Sequence, residues 1–129
     1  MTKAAALYQF FSNFGIPAYE ENSIYDMAEQ GQAPSFPYLT YEVKTDFFGN
    51  SDTTISFSLW YRSPSWVDIN AKSLEISKFI GRVGYLMDTD EGKILIMRLQ
   101  PWGQNMGDSS DDTVKRIVHS VNLRYYSNY

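Results

Sequence analysis

The feature that most constrains the fold is an alternating strand pattern that runs directly into a helical pattern. In residues 53–61, apolar side chains at every second position alternate with Thr and Ser, which is the period of a half-buried strand. Ser63 and Pro64 end this strand, and Ser65 with Asp68 forms a capping-box pattern that predicts the start of a helix. The helix is expected to end at Gly81. Its apolar residues share one face, with Phe79 at the edge of a stripe formed by Trp66, Ile69, Ile76, Ile80 and Val83.

The rest of the chain predicts one more helix and several strands. Residues 3–14 carry apolar side chains at helical spacing, with Thr2 as the cap and Gly15 as the stop. Residues 20–35 and 104–112 are polar and are expected to be loops. Strands are expected at residues 16–19, 38–44 and 113–125, and a hairpin at residues 85–99 that Pro101-Trp102-Gly103 ends. The order predicts a single α+β domain over residues 1–129, with two amphipathic helices packed on one face of a mostly antiparallel β-sheet.

The composition argues against catalysis, metal binding and nucleic-acid binding. The chain has 129 residues, no cysteine and one histidine, His119, which the strand pattern places on a buried face as a structural, hydrogen-bonded residue. The acidic residues 108–112 lack the ligand spacing of a calcium loop. A net charge of −4 disfavours tight binding of DNA. We therefore expect no enzymatic activity, no catalytic residue, no cofactor and no metal.

Aromatic residues are abundant, and several occur where a small core cannot use them. The chain has 10 Tyr, 8 Phe and 3 Trp residues. Large apolar side chains in turns, in polar segments or on the polar side of a strand are typical of assembly surfaces. The alternative is that some of them fold back under the loops as small clusters. The candidate assembly interface consists of Tyr25, Met27, Phe47, Phe48, Trp60, Trp102 and Met106.

Several segments of the chain resemble one family of small phage proteins. The segments are PYLTYEV, ISFSLWYRSPSWVDI and SKFIG, with ALYQFFSNFGIPAYEEN near the start and NMGDSSDD late in the chain. Together they resemble the tail terminators, or tail completion proteins, of long-tailed phages and prophages, whose fold is that of the lambda-type terminator. The resemblance covers nearly the whole chain. It involves structural segments and no catalytic signature.

The resemblance implies a structural virion protein. Such proteins form a ring, usually of six subunits, that caps the tail tube, ends tail polymerisation and provides the head–tail joining surface. The expected partners are other copies of the chain, the major tail tube protein and the connector proteins of the neck. DNA is expected to pass through the lumen without specific binding, and no membrane is involved. The expected location is the neck end of the virion tail, after assembly in the host cytoplasm.

Two alternatives remain open at this point. The protein could be a neighbouring neck component, such as a head-completion or adaptor protein. It could also be a small α+β module outside phages that binds a ligand or peptide. A ring subunit should form oligomers, whereas a binding module should remain monomeric and present a concave pocket.

Overall fold

The computed structural model describes residues 1–44 and 52–128. Three α-helices and six strands are present in these residues, so the prediction of an α+β domain is confirmed. The helices are α1 (Lys3–Phe11), which continues into a 3₁₀ turn at Ser12–Phe14, α2 (Glu21–Glu29) and α3 (Val67–Ile80). The strands are β1 (Ala18–Glu20), β2 (Tyr38–Tyr41), β3 (Asp52–Arg62), β4 (Tyr85–Thr89), β5 (Gly92–Gly107) and β6 (Val114–Ser127).

All six strands belong to one mixed sheet in the order β1-β2-β3-β6-β5-β4. The β1–β2 pair is parallel, and the other pairs are antiparallel. The ladder between β3 and β6 runs without interruption from Asp52 opposite Arg124 to Arg62 opposite Val114. The ladder between β5 and β6 changes register between Arg98 and Gly103, as a β-bulge does. β1 and β4 are the two edges of the sheet.

The core lies between one face of the sheet and the helices α1 and α3. On β3, the side chains of Ile55, Phe57 and Leu59 are buried in this core, as the predicted alternation requires. Phe11 of α1 stacks on Tyr41 with ring centroids 4.6 Å apart and contacts Phe57 at 5.2 Å. The two helices are joined where Lys72 Nζ donates a hydrogen bond of 2.6 Å to the carbonyl of Phe14. The strand residues between these buried positions point to the opposite side of the sheet, which we call the second face of the sheet.

The helix α2 corrects the prediction that residues 20–35 form a loop. The polar and acidic composition of this segment does not give a helical pattern in the sequence, and none of the residues of α2 is completely buried. Ile24 and Met27, three positions apart, are its partly buried apolar residues. This spacing is helical, but two such residues are too few to distinguish a helix from a loop in the sequence.

The course of β5 corrects a second prediction, because Pro101-Trp102-Gly103 does not end the hairpin. β5 continues through the bulge to Gly107, so residues 104–107 are strand, and only the short segment 108–113 connects β5 to β6. Proline lacks a backbone N–H and is tolerated in strands at bulges, where a residue is left out of the ladder. The proline here marks the bulge and does not mark the end of the strand.

The helix α3 ends at Gly81 as predicted and departs from the prediction only at its start and at Val83. Ile69, Ile76 and Ile80 are buried as expected. Val83 is 83% exposed, because the helix ends at Ile80 and the chain changes direction at Gly81, whose φ is +78°. At the start, Ser65 Oγ accepts a hydrogen bond from the Val67 backbone N–H, but Trp66 occupies the cap position, so the expected capping box is not formed.

Candidate assembly surfaces

The histidine of the chain lies in the core beside a serine. Ser73 Oγ of α3 is 2.8 Å from Nε2 of His119, and Trp102 Nε1 donates a hydrogen bond of 3.1 Å to the same Oγ. The imidazole is fully buried and stacks on Phe57, with ring centroids 4.5 Å apart and an interplanar angle of 8°. Burial lowers the pKa of His119 to about 4, so the ring is neutral near pH 7. The prediction of a buried, hydrogen-bonded histidine is confirmed.

A serine at hydrogen-bond distance from a histidine is one part of an activated nucleophile. In such a site a third group orients the imidazole through its other nitrogen. Within residues 1–44 and 52–128, Nδ1 of His119 has no hydrogen-bond partner. Ser73 is itself only 9% exposed, and its Oγ is occupied by Trp102. This cluster joins α3 to β5 and β6, and its geometry is that of a packing contact.

The described residues contain neither a metal-ligating group nor a membrane-spanning helix. No group of three or more His, Cys, Asp or Glu side chains in the described residues could hold a metal ion. No α-helix in this part of the chain has the length and apolar composition needed to cross a membrane.

The second face of the sheet carries a groove between β3, β5 and β6, which we call the Trp60 groove. It has a cavity volume of about 300 Å³ and is lined by Trp60, Met106, Val114 and Arg116, together with residues 107–109. The guanidinium of Arg116 lies 4.5 Å from the centre of the Trp60 ring, the geometry of a cation–π contact. Two of the predicted interface residues, Trp60 and Met106, therefore line one groove beside a cation.

Hydrogen bonds and stacking fix the Trp60 indole within the subunit. Its Nε1 donates a hydrogen bond of 2.9 Å to Thr40 Oγ1 on β2. Its ring stacks on Tyr38 with centroids 5.9 Å apart and an interplanar angle of 11°. Arg116 is held in turn by a hydrogen bond of 3.1 Å from its Nε to Ser58 Oγ. The groove is thus built from ordered side chains, so a partner would meet a preformed surface.

A second groove lies at the β4 edge of the sheet, between α1, the end of α3 and β4, and we call it the β4 groove. Its cavity volume is about 330 Å³. Phe79 and Tyr85 lie 4.7 Å apart in its wall and remain 38% and 37% exposed. The next residue, Leu86, points to the opposite face of β4 and is 51% exposed. Phe10 of α1 contacts both aromatic rings from below, at 5.9 and 5.7 Å. The β4 groove is therefore an open surface on an edge strand, in which exposed aromatic rings lie beside the polar residues Gln9, Asn13 and Asp88.

The helix α2 lies at the other edge of the sheet, where it contacts β1. Tyr25 on this helix is 64% exposed, and Met27 is partly buried. The helix carries the acidic residues Glu21, Asp26 and Glu29 and no Lys or Arg. The two edges of the sheet thus present unlike surfaces, one acidic and helical and the other aromatic and concave.

The predicted interface residues fall into different places. Trp60 and Met106 line the Trp60 groove, whereas Tyr25 and Met27 lie on α2 at the β1 edge. Phe47 and Phe48 lie outside the described residues. Trp102 does not sit at the end of a hairpin as expected, because it is within β5 and its ring packs on the core, 5.7 Å from Phe57.

The β4 groove was not predicted from the sequence. Phe79 was expected at the edge of a buried stripe, and Tyr85 and Leu86 were expected only to form part of a hairpin. One signal was present: adjacent apolar residues in a strand point to opposite faces, so a Tyr-Leu pair in a short strand implies an apolar surface on both sides. Only the position of β4 at the sheet edge shows that these side chains are left uncovered by the subunit.

Comparison with known proteins does not assign the chain to a family. No protein-family model matches it. Comparisons with curated proteins and with solved structures also find no match.

Proposed function

We propose that this protein is a structural subunit of a long-tailed phage that acts as a tail terminator. Copies of the chain form a ring that caps the tail tube, stops its polymerisation and provides the surface to which the head connector joins. The observation that carries the proposal is the pair of unlike surfaces at opposite sheet edges. The acidic helix α2 with Tyr25 lies at one edge, and the aromatic β4 groove lies at the other.

Unlike surfaces favour head-to-tail association. In a two-fold dimer the same patch meets itself, so a two-fold contact through α2 would place one acidic helix against another. A head-to-tail contact instead joins two different patches, and repeating it produces either an open filament or a closed ring. A ring satisfies every contact and stops growing, which is the property that a cap on a tube requires.

The fold and the exposed apolar side chains support the same proposal. Two of the three helices, α1 and α3, pack on one face of a sheet in which all pairs but one are antiparallel, and this arrangement is compatible with a ring subunit. Exposed apolar surface on a small domain commonly marks a contact with another protein. The other exposed large apolar residues in the described ranges include Tyr8, Val67, Leu74, Val83 and Tyr126.

The remaining surfaces can be divided among the partners of a terminator. The Trp60 groove lies on the second face of the sheet, away from the edges, and in this proposal it receives the major tail tube protein or a connector protein. The net charge of −4 supports a lumen through which DNA passes without specific binding. The role has no catalytic step and needs no cofactor. The protein would be located at the neck end of the virion tail.

The test is the oligomeric state of the protein together with the tails made without it. Native mass spectrometry of the purified chain, alone and with its tail tube protein, should show a closed ring, six subunits being the expected number. Electron microscopy of particles lacking the protein should show overlong tails without heads. A chain that stays monomeric in both samples would rule out the ring.

Two other functions remain candidates and can be separated from the first. A neighbouring neck protein would give tails of normal length that fail to join heads. A small binding module is favoured by the concave β4 groove of about 330 Å³, within the size range of ligand sites. Such a module would remain monomeric and bind a ligand or peptide with equal affinity in the presence and absence of tail proteins.

A further inference from the structure

The helix α2 is only partly used by its own subunit. It has nine residues, none of which is completely buried. Short isolated helices are marginal in water, and most helices in proteins are stabilised by packing of an apolar face. Ile24 and Met27 supply a partial contact with the subunit, while Tyr25 remains 64% exposed. The outer side of α2 therefore has both the shape and the apolar side chain needed to pack on a second surface.

The charges of α2 and of the β4 groove are complementary. α2 carries Glu21, Asp26 and Glu29 without any basic residue. Two basic residues flank the groove residue Phe79 in the sequence: Lys78 directly precedes it in the last turn of α3, and Arg82 lies three residues after it. Neither cation forms an ion pair among the described residues. Complementary charges of this kind orient partners and fix the register of a contact.

The β4 groove is also lined by one acidic residue, whose negative charge would repel the acidic helix α2. Asp88 lies at the groove, but its carboxylate is paired with Lys93 at 2.5 Å across the β4–β5 hairpin. The amino group of Met1 is likewise paired with Asp90 at the other end of β4. Asp88 and Asp90 are therefore paired locally, whereas Glu91 in the β4–β5 turn, Lys78 and Arg82 form no ion pair among the described residues.

The position of α2 means that it cannot fill the groove of its own subunit. β1 and β4 are opposite edges of a six-stranded sheet. With neighbouring strands about 4.8 Å apart, the two edges are separated by roughly 24 Å. An α2 helix that reaches a β4 groove must therefore come from another copy, and the contact is head-to-tail.

We propose that α2 of one copy docks in the β4 groove of the next copy, with Tyr25 entering between α1 and β4. The contact is of the helix-in-groove type, in which an amphipathic helix places its apolar residues in a concave apolar surface. Asp26 and Glu29 face Lys78 and Arg82 across the contact. This inference rests on the proposed ring and specifies the contact between its subunits.

Cysteine cross-linking tests the contact directly, because the chain has no cysteine of its own. Two single variants, Tyr25→Cys and Gln9→Cys, are purified, mixed and oxidised, and the products are measured by intact mass spectrometry. Gln9 is an exposed residue of α1 that lines the β4 groove. The expected product is the disulfide-linked heterodimer of the two variants, which disappears on reduction. A matched control replaces Gln9→Cys with Ser109→Cys, at an exposed position outside the β4 groove, and this mixture should give no heterodimer.

Charge reversal provides a second measurement that does not depend on cysteine. Lys78→Glu with Arg82→Glu, or Asp26→Lys with Glu29→Lys, should each weaken self-association about tenfold in sedimentation experiments, since two surface ion pairs are replaced by like charges. Mixing the two double variants should restore association, because each supplies the charge that the other needs. Circular dichroism checks that the variants are folded.

The outcomes separate the contact from the ring. A ring seen by native mass spectrometry without the Tyr25–Gln9 cross-link would overturn the docking of α2 and leave the ring in place. A chain that is monomeric in every sample would overturn both. Equal cross-linking with the Ser109→Cys control, or Tyr25→Cys linked mainly to itself, would also overturn the proposed contact.

Discussion

The hydroxyl oxygen of Ser73 on α3 lies 2.8 Å from Nε2 of His119 on β6, inside the core. The same oxygen accepts the hydrogen bond from Trp102 on β5, so one hydroxyl joins a helix to two strands. Gly103 leaves the space for this arrangement, because a Cβ at that position would lie 3.2 Å from Cδ2 of His119. The neutral imidazole is thus enclosed by packed groups on all sides, and its protonation is coupled to the stability of the fold.

We expect the free energy of unfolding to fall as the pH is lowered from about 6.5 to about 4. The pKa of His119 is about 4 in the fold and 6.5 in an unperturbed histidine. Between these values the unfolded chain binds a proton that the folded chain does not bind, so acid favours unfolding. A difference of about 2.5 pKa units corresponds to roughly 3 kcal/mol. Chemical denaturation at several pH values measures this slope.

The control for this prediction is His119→Gln, which has an amide that can bond to Ser73 but does not titrate. Its stability should change less between pH 6.5 and 4 than that of the natural chain. Asp52, Asp108 and Asp111 do not account for the slope: hydrogen bonds lower the pKa of each below its ordinary value of 3.8. Their contribution is lost mainly below that pH. Equal slopes in the two proteins would show that His119 is not the titrating group.

We expect Ser73→Ala to lower the free energy of unfolding by about 1–3 kcal/mol, because it leaves buried polar atoms of His119 and Trp102 without a partner. Ser77→Ala is a matched control, one helical turn further along α3. Ser77 Oγ accepts a hydrogen bond of 2.7 Å from Arg98, which is partly exposed and can turn to water instead. The control should therefore lose less. Urea denaturation compares the two, and equal losses would mean that the Ser73 cluster contributes no more than a solvent-accessible bond.

The sequence predicted β3 and α3 well because burial on one face imposes a strong period. Ile55, Phe57 and Leu59 alternate with small polar residues, and the strand can pair in only one register without exposing them. The helix α2 has no such constraint, since none of its residues is completely buried. An element whose apolar residues are few and partly exposed leaves little periodicity in the sequence.

Trp60 and Trp102 were both predicted to be interface residues, and the bulge in β5 explains why the sequence did not distinguish their positions. Before the bulge, Ile94 and Ile96 face the core at even positions, whereas after it Gly103 is opposite the core residue His119. From Arg98 to Gly103 β5 advances five residues while β6 advances only two, and these three extra residues exchange the faces of all the residues that follow. Trp102 lies within this irregular segment, so its inward position could not be obtained from the alternation of β5. Trp60 lies on β3, which has no bulge, and its position on the second face follows from the strand period.

We expect Leu59→Ala and Ile76→Ala each to lower the free energy of unfolding by about 2–5 kcal/mol. Both side chains are completely buried, one on β3 and one on α3, so truncation removes apolar contacts and leaves a cavity. Leu74→Ala is the control on the same helix, where the side chain is 54% exposed, and it should change stability by less than about 1 kcal/mol. Thermal unfolding measures all three. An unchanged melting temperature for both core variants would contradict the assignment of the buried faces.

The two glycines at the ends of β5 should respond differently to the same substitution. A Cβ at Gly92 would lie 2.0 Å from the carbonyl oxygen of Tyr126 on the paired strand, whereas a Cβ at Gly107 would meet no atom within 4 Å. The clash at Gly92 is with backbone, which cannot rotate away, so the start of β5 must shift relative to β6. We expect Gly92→Ala to lower the free energy of unfolding by about 1–3 kcal/mol or more.

Gly107→Ala should leave stability unchanged or raise it by up to about 1 kcal/mol, because alanine restricts the unfolded chain more than glycine does. Neither position has a positive φ, so this gain applies equally to both variants. The difference between them in urea denaturation therefore isolates the steric contact with Tyr126. Equal stabilities for the two variants would mean that β5 and β6 do not approach each other at Gly92 as closely as the structure has them.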